Sequence, residues 1–148
     1  MHVIRIPIWF SASIICSVAL LAFWRGDWRA RTIAASLVIQ VAFEIYVCHT
    51  WACWGAGRPS LMTWRLVSED AVLLLVCLAC ARRAERYWVL WASSFALLGF
   101  VTDLMRLVMP RITDWASAAA GVVWTYGLTA TLLVGVWPAV RARLRPAR

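Results

Sequence analysis

A chain of 148 residues that is 64% hydrophobic and 15% charged carries more apolar side chain than a soluble domain of this size can hide. Its formal charge is +8, all fifteen basic residues are arginine, and they cluster in short loops between long apolar runs. That distribution belongs to a polytopic membrane protein and excludes nucleic-acid binding, because no basic surface with a fold of its own remains once the runs are removed.

The first apolar run covers residues 6–24, long enough to span a bilayer. Pro7 suits a first helical turn, and Trp9 and Trp24 stand at the two ends as interface anchors. A cleavable signal peptide is the competing reading, since Ser17-Val18-Ala19 is a tolerable cleavage pattern. The loop 25–31, RGDWRAR, follows.

The second run covers 32–54. It contains Gln40 and Glu44 near its middle and His49 toward its end, and Gly55, Gly57 and Pro59 then break it. Glu44 is the costliest residue to place: an ionised acid near the bilayer centre costs about 2.5–3.5 kcal/mol and turns to a bundle interior. At about 100° per residue, Gln40, Glu44, Cys48 and Trp51 share an arc of about 80°, an expected inward stripe. His49 and Cys53, four residues apart, share another face and are weak candidates for a metal.

The third run has two possible starts. A cap at Ser68 puts Glu69 and Asp70 in the first turn, where acids favour the helix dipole, but leaves a short span. A cap at Ser60 gives a span over 61–81 and carries both acids well into it. The longer reading is preferred. Cys77-Leu78-Ala79-Cys80 near its end is a C-x-x-C, a dithiol of the kind used in membrane redox enzymes. The other cysteines do not build a disulfide framework, because Cys48 and Cys53 point to different sides of one helix.

After the basic loop RRAER, the fourth run covers 87–108 with Asp103 and Arg106 near its end, spaced to pair on one helix face. The fifth covers 115–137. Ala116, Ser117, Ala120 and Gly121 form a small-residue face for close helix contact, within the chain or with a second copy. Pro138 and a basic tail, 139–148, follow. Segments four and five resemble small uncharacterised membrane proteins of sphingomonad-type alphaproteobacteria. The likeness rests on Tyr87-Trp88-Val89-Leu90-Trp91, Phe95-Ala96-Leu97-Leu98, Val101-Thr102-Asp103-Leu104, Trp115-Ala116, Trp124 and Tyr126, with Asp70 before a leucine-rich run. The resemblance implies no activity.

Five arginines fall on one set of loop ends and ten on the other. The positive-inside rule places the richer set in the cytoplasm, so the N-terminus is outside and the C-terminus inside. The expectation is an all-α, five-span bundle in a bacterial inner membrane, with the lipid bilayer as its first partner and no cofactor. Its ligand- or proton-binding candidates are Glu44, His49, Glu69, Asp70, Asp103 and Arg106. The leading reading is a non-enzymatic accessory, binding or small transport component with a polar pocket on the outer side. A redox or metal-dependent membrane enzyme using Cys77/Cys80 or His49/Cys53 is the alternative, and a holin-like pore the third.

Overall fold

A computed structural model describes residues 8–52, 59–82, 86–109 and 114–144, and these form five α-helices with no strand among them. The helices are α1 (Ile8–Arg25), α2 (Trp28–Ala52), α3 (Pro59–Ala81), α4 (Tyr87–Val108) and α5 (Asp114–Leu144). Each packs against the next in sequence, α5 returns to α1, and α2 also touches α5. The result is a closed ring of antiparallel neighbours in chain order, with α5 running parallel to α1 where they meet.

Local chemistry sets the helix ends. Gly26 ends α1, its amide donating to the Ala22 carbonyl at 2.8 Å, and a Cβ there would collide with that carbonyl and with Ala30. Asp27 then caps α2, its Oδ1 accepting from the Ala30 amide at 2.9 Å. The expected loop over 25–31 is therefore a two-residue turn, and Arg29 and Arg31 stand on the helix. Arg31 Nε donates back to the Gly26 carbonyl at 3.2 Å.

α3 begins at Pro59, whose missing amide costs nothing in a first turn. Ser68 lies inside the helix and donates its hydroxyl to the Arg65 carbonyl at 2.7 Å. Glu69 and Asp70 are thus near the middle of α3, about 15–17 Å from its start at 1.5 Å per residue. α5 does not stop at Pro138: it continues to Leu144, so part of the expected basic tail over 139–148 is helical. Tertiary packing tolerates the one backbone bond that a proline removes.

The packed core lies toward the end of the bundle where α1 turns into α2. Small residues bring α1 and α2 together, with Ala19, Ala22, Ala30 and Ala34 all buried around Ile33. α4 and α5 meet in a different way. Trp88 and Phe95 of α4 lie where Cβ atoms on Gly135 and Gly127 would stand, and Trp124 of α5 lies where one on Gly99 would stand. Three aromatic rings seated in three glycine notches fix the antiparallel register of this pair.

Outside the core, every helix shows bulky apolar side chains to its surroundings. Leu20, Ile39, Leu75, Trp91 and Val134, one from each helix, are all more than half exposed. By length and composition, two stretches can cross a membrane, Tyr87–Val108 and Ala119–Arg141. The apolar part of α1, Phe10–Arg25, is shorter, while α2 and α3 carry charges along their length, Arg29, Arg31 and Glu44 on one and Arg65, Glu69 and Asp70 on the other. The expectation of five spans therefore stands here as a five-helix bundle with two helices that satisfy the span criterion alone.

Candidate functional site

The half of the ring away from the core is open. A cavity of about 370 Å³ is lined by all five helices: Ser11, Ala12 and Ile15 of α1, residues of α2 from Leu37 to Ile45, Leu66, Glu69 and Asp70 of α3, Asp103 and Arg106 of α4, and Gly121 to Tyr126 of α5. Antiparallel hairpins explain the convergence. They bring the second half of α2 and α4 to the same end as the first half of α1, α3 and α5.

Glu44, Glu69, Asp70 and Asp103, four of the chain's seven acidic residues, line this one cavity. Two have cationic neighbours. Arg65 Nε donates to Glu69 Oε1 at 2.6 Å, one turn apart on α3, and the Arg65 guanidinium lies 5.0 Å from the centre of the Phe43 ring on α2. Arg106 Nη1 stands 3.7 Å from Asp103 Oδ1, an ion pair rather than a close hydrogen bond. If all these groups are charged, the cavity is net acidic in a strongly basic chain.

Asp70 is the structural centre of the site. It is 2% exposed, the most secluded acid among the described residues. Gln40 Nε2 on α2 donates to Asp70 Oδ1 at 2.7 Å, tying α3 to α2. Its other oxygen, Oδ2, lies 3.1 Å from where a Cβ on Gly99 would stand, with the Trp124 ring at 2.9 Å from the same point. Gly99 therefore leaves room on α4 for a carboxylate from α3 and an indole from α5. Neither Asp70 Oδ2 nor Gln40 Oε1 has a hydrogen-bond partner among the described residues, and both atoms are buried.

The far wall is held by a hydrogen bond between the Ser11 and Tyr126 hydroxyls at 2.9 Å, which joins α1 to α5. A second, more apolar cleft of about 270 Å³ lies between α2 and α3, lined by Ser36, Ile39, Phe43, Ser68, Val72 and Leu73. It shares Gln40 and Glu69 with the acidic cavity.

The sequence-derived candidates separate cleanly on this geometry. Glu44, Glu69, Asp70, Asp103 and Arg106 reach the same cavity. Glu44, expected to be the deep central acid, lines the cavity but is exposed, because α2 turns it toward the open part of the ring. The helical wheel marked its face but not what would cover it; Asp70 takes the secluded position instead. His49 is helical but its side chain, like that of Cys48, is outside the described residues, and so is Cys53. No group of three His, Cys, Asp or Glu suited to a metal ion occurs among the described residues. Cys77 and Cys80 are buried in the packed core, away from the cavity. Of the small-residue face, Gly121 lines the cavity, Ala120 is half-buried, and the side chains of Ala116 and Ser117 are outside the described residues.

Four contributors carried little sequence signal: Gln40 as a partner of Asp70, Gly99, Trp124 and the Ser11–Tyr126 bond. Gln40 was visible as a polar residue in an apolar run. Nothing in a single sequence marks Gly99 as the place where an acid from another helix docks.

No family model, curated protein or solved structure matches the chain. The class of object defined by fold and site is an all-α five-helix bundle, two of its helices able to cross a membrane, with an acidic cavity lined by all five.

Proposed function

We propose that the protein is a multi-span membrane protein whose five helices all cross a bacterial inner membrane, N-terminus out and C-terminus in, and whose acidic cavity binds a small ligand from the outer side. It acts as a binding or small transport component, alone or as the accessory of a membrane partner, and not as an enzyme. The observation that carries this reading is the convergence of Glu44, Glu69, Asp70 and Asp103 on one cavity.

That convergence also supports spanning by α2 and α3 despite their charges. A charged side chain at the bilayer centre costs about 2.5–3.5 kcal/mol on insertion scales, a cost avoided when it faces a polar cavity inside the bundle. The outward faces of the same helices are apolar, with Ile39 on α2 and Leu75 on α3 exposed. Soluble proteins rarely expose large contiguous apolar surface, whereas lipid tails accept it. At the other end of the bundle, Arg25 stacks 4.4 Å from the Trp24 ring and Arg29 5.4 Å from Trp28. Such arginine–tryptophan pairs suit the headgroup layer of the cytoplasmic face.

Thr125 lines the cavity and gives a direct test. With Thr125→Cys in the full chain, a membrane-impermeant maleimide applied to intact spheroplasts should modify residue 125, read by peptide mass spectrometry so that native cysteines do not interfere. Modification only in inside-out vesicles, or in neither preparation, would overturn the reading.

A further inference from the structure

We propose that the arginine-rich end of the bundle is a binding collar for anionic phospholipid, whose phosphates pair with the exposed guanidinium groups of Arg31, Arg82, Arg86 and Arg141. The inference rests on the reading of the chain as a multi-span membrane protein and names the lipid class that its cytoplasmic end selects.

Chain order puts these groups at one end. The end of α1, the start of α2, the end of α3, the start of α4 and the end of α5 lie together in a ring of antiparallel neighbours. Arg31 belongs to α2, Arg82 follows α3, Arg86 precedes α4 as its N-cap and Arg141 lies near the end of α5, and all four are exposed. Arg25 and Arg29 are half-buried at the same end, against the rings of Trp24 and Trp28. Among the described residues the acid at this end is Asp27, and its Oδ1 is engaged by the Ala30 amide.

The two ends treat arginine differently. At the cavity end, Arg65 and Arg106 each stand beside a carboxylate. At the arginine-rich end, the side chains of Arg82, Arg86 and Arg141 make no hydrogen bond or ion pair among the described residues, and Arg31 spends only its Nε, on the Gly26 carbonyl. Guanidinium forks left open in this way match the oxygens of a phosphate.

What borders the collar selects a lipid over a dissolved anion. Trp24, Trp28 and Tyr87 are all more than half exposed at this end. Such rings suit the boundary between headgroup and acyl chain. One or two turns further along the bundle the surface is aliphatic, with Leu20 on α1, Leu90 on α4 and Val134 on α5 each half exposed or more. Cation, aromatic ring and aliphatic side chain follow one another in the order phosphate, ester and acyl chain of a phospholipid. A phosphate dissolved in water would engage the first of these layers alone.

The test is native mass spectrometry of the full chain from mixed micelles holding equimolar phosphatidylglycerol and phosphatidylcholine with identical acyl chains. Bound phosphatidylglycerol should exceed phosphatidylcholine about fivefold or more, the worth of one arginine near an anionic surface, and the excess should shrink as salt rises. Arg82→Gln, Arg86→Gln and Arg141→Gln combined should bring the ratio close to one. The same three positions changed to lysine should keep most of the preference, and Arg65→Gln at the cavity end should leave it unchanged. Thermal unfolding of the glutamine variant in phosphatidylcholine should match the parent, since the three side chains hold no internal contact. Should that variant fail to fold, the parent's salt response decides, and a preference indifferent to salt overturns the collar. No preference in the parent, a preference that survives the three glutamines, or an equal loss in Arg65→Gln overturns it too. Displacement of phosphatidylglycerol by an equal concentration of glycerophosphoglycerol, the same headgroup without acyl chains, overturns the lipid in favour of a soluble phosphate. A chain that alkaline carbonate strips from membranes fails the multi-span reading itself. A chain that stays and shows no preference fails this inference alone.

Discussion

The two ends of the bundle solve the same packing problem in opposite ways. At the arginine-rich end, alanines let α1 and α2 close on each other, and leucine, valine and isoleucine side chains of α2, α4 and α5 fill the centre. At the other end, the same five helices bring carboxylates, the Gln40 amide and hydroxyls around about 370 Å³ of open space. The difference separates a half packed for stability from the half proposed to bind. Substitutions in the closed half should act on folding, and those in the open half on binding.

The sharpest contrast is between two aliphatic side chains. Leu132 is a large, fully buried side chain in the closed half, and Leu132→Ala should lower stability by about 2–3 kcal/mol. In the proposed membrane setting the figure lies at the low end for such changes, because lipid tails are as apolar as the lost side chain and the cavity rather than the transfer dominates. Ile45 borders the open half, and Ile45→Ala should cost under about 1 kcal/mol, since space already lies beside it. Thermal unfolding in detergent measures both, and equal losses would erase the distinction between the halves.

The glycines of α5 divide the same way. A Cβ on Gly135 would meet the Trp88 ring, so Gly135→Ala should destabilise by about 1–2 kcal/mol as the indole is pushed off its seat. A Cβ on Gly121 would meet only Trp124 Nε1 at 3.9 Å, ordinary contact distance, so Gly121→Ala should be close to neutral. Unfolding midpoints that move together would show that the ring-in-notch seam does not hold α4 to α5.

Much of this arrangement could be read from the chain, and the failures have physical causes. The five helical stretches announce themselves through apolar length, and the arginine clusters mark one end of the ring. The short turn at Gly26 was masked by arginines that look like loop but follow a capping aspartate. Pro138 reads as a stop, yet packing carries α5 through it. The site was half legible. Periodicity told which polar residues share a helix face, and the alternation of hairpins brought Glu69, Asp70, Asp103 and Arg106 to one end. It could not rank them. Asp70 is secluded because Gln40, Gly99 and Trp124, from three other helices, meet around it, and Glu44, on α2, is left exposed. Seclusion is a property of the assembled ring, to which a single helix contributes one wall.

Asp70 itself lies on the boundary between the halves and so separates a packing role from a binding role. Asp70→Ala removes the acceptor of Gln40 Nε2 and should cost about 1–2 kcal/mol through the unpaired amide. Asp70→Asn keeps an oxygen in place to accept that bond and should change stability by less than about 1 kcal/mol, though it removes the charge. If unfolding shows Asp70→Asn to be as damaging as Asp70→Ala, the carboxylate is there for the fold.

A small effect is expected five residues earlier on α3, and its smallness is informative. Arg65 and Glu69 make a short ion pair on α3, and the guanidinium also rests on Phe43 of α2. Arg65→Gln should cost only about 0.5–1 kcal/mol, the worth of a partly exposed pair. Yet it releases the Glu69 carboxylate into a cavity that already holds Glu44, Asp70 and Asp103. The variant should therefore lose little stability and gain affinity for a cationic probe, with the gain shrinking as salt rises. A loss of cation affinity in Arg65→Gln would mean that Glu69 is held by Arg65 for orientation and is not a source of charge. The acidic half would then be a set of positioned hydrogen bonds rather than a field.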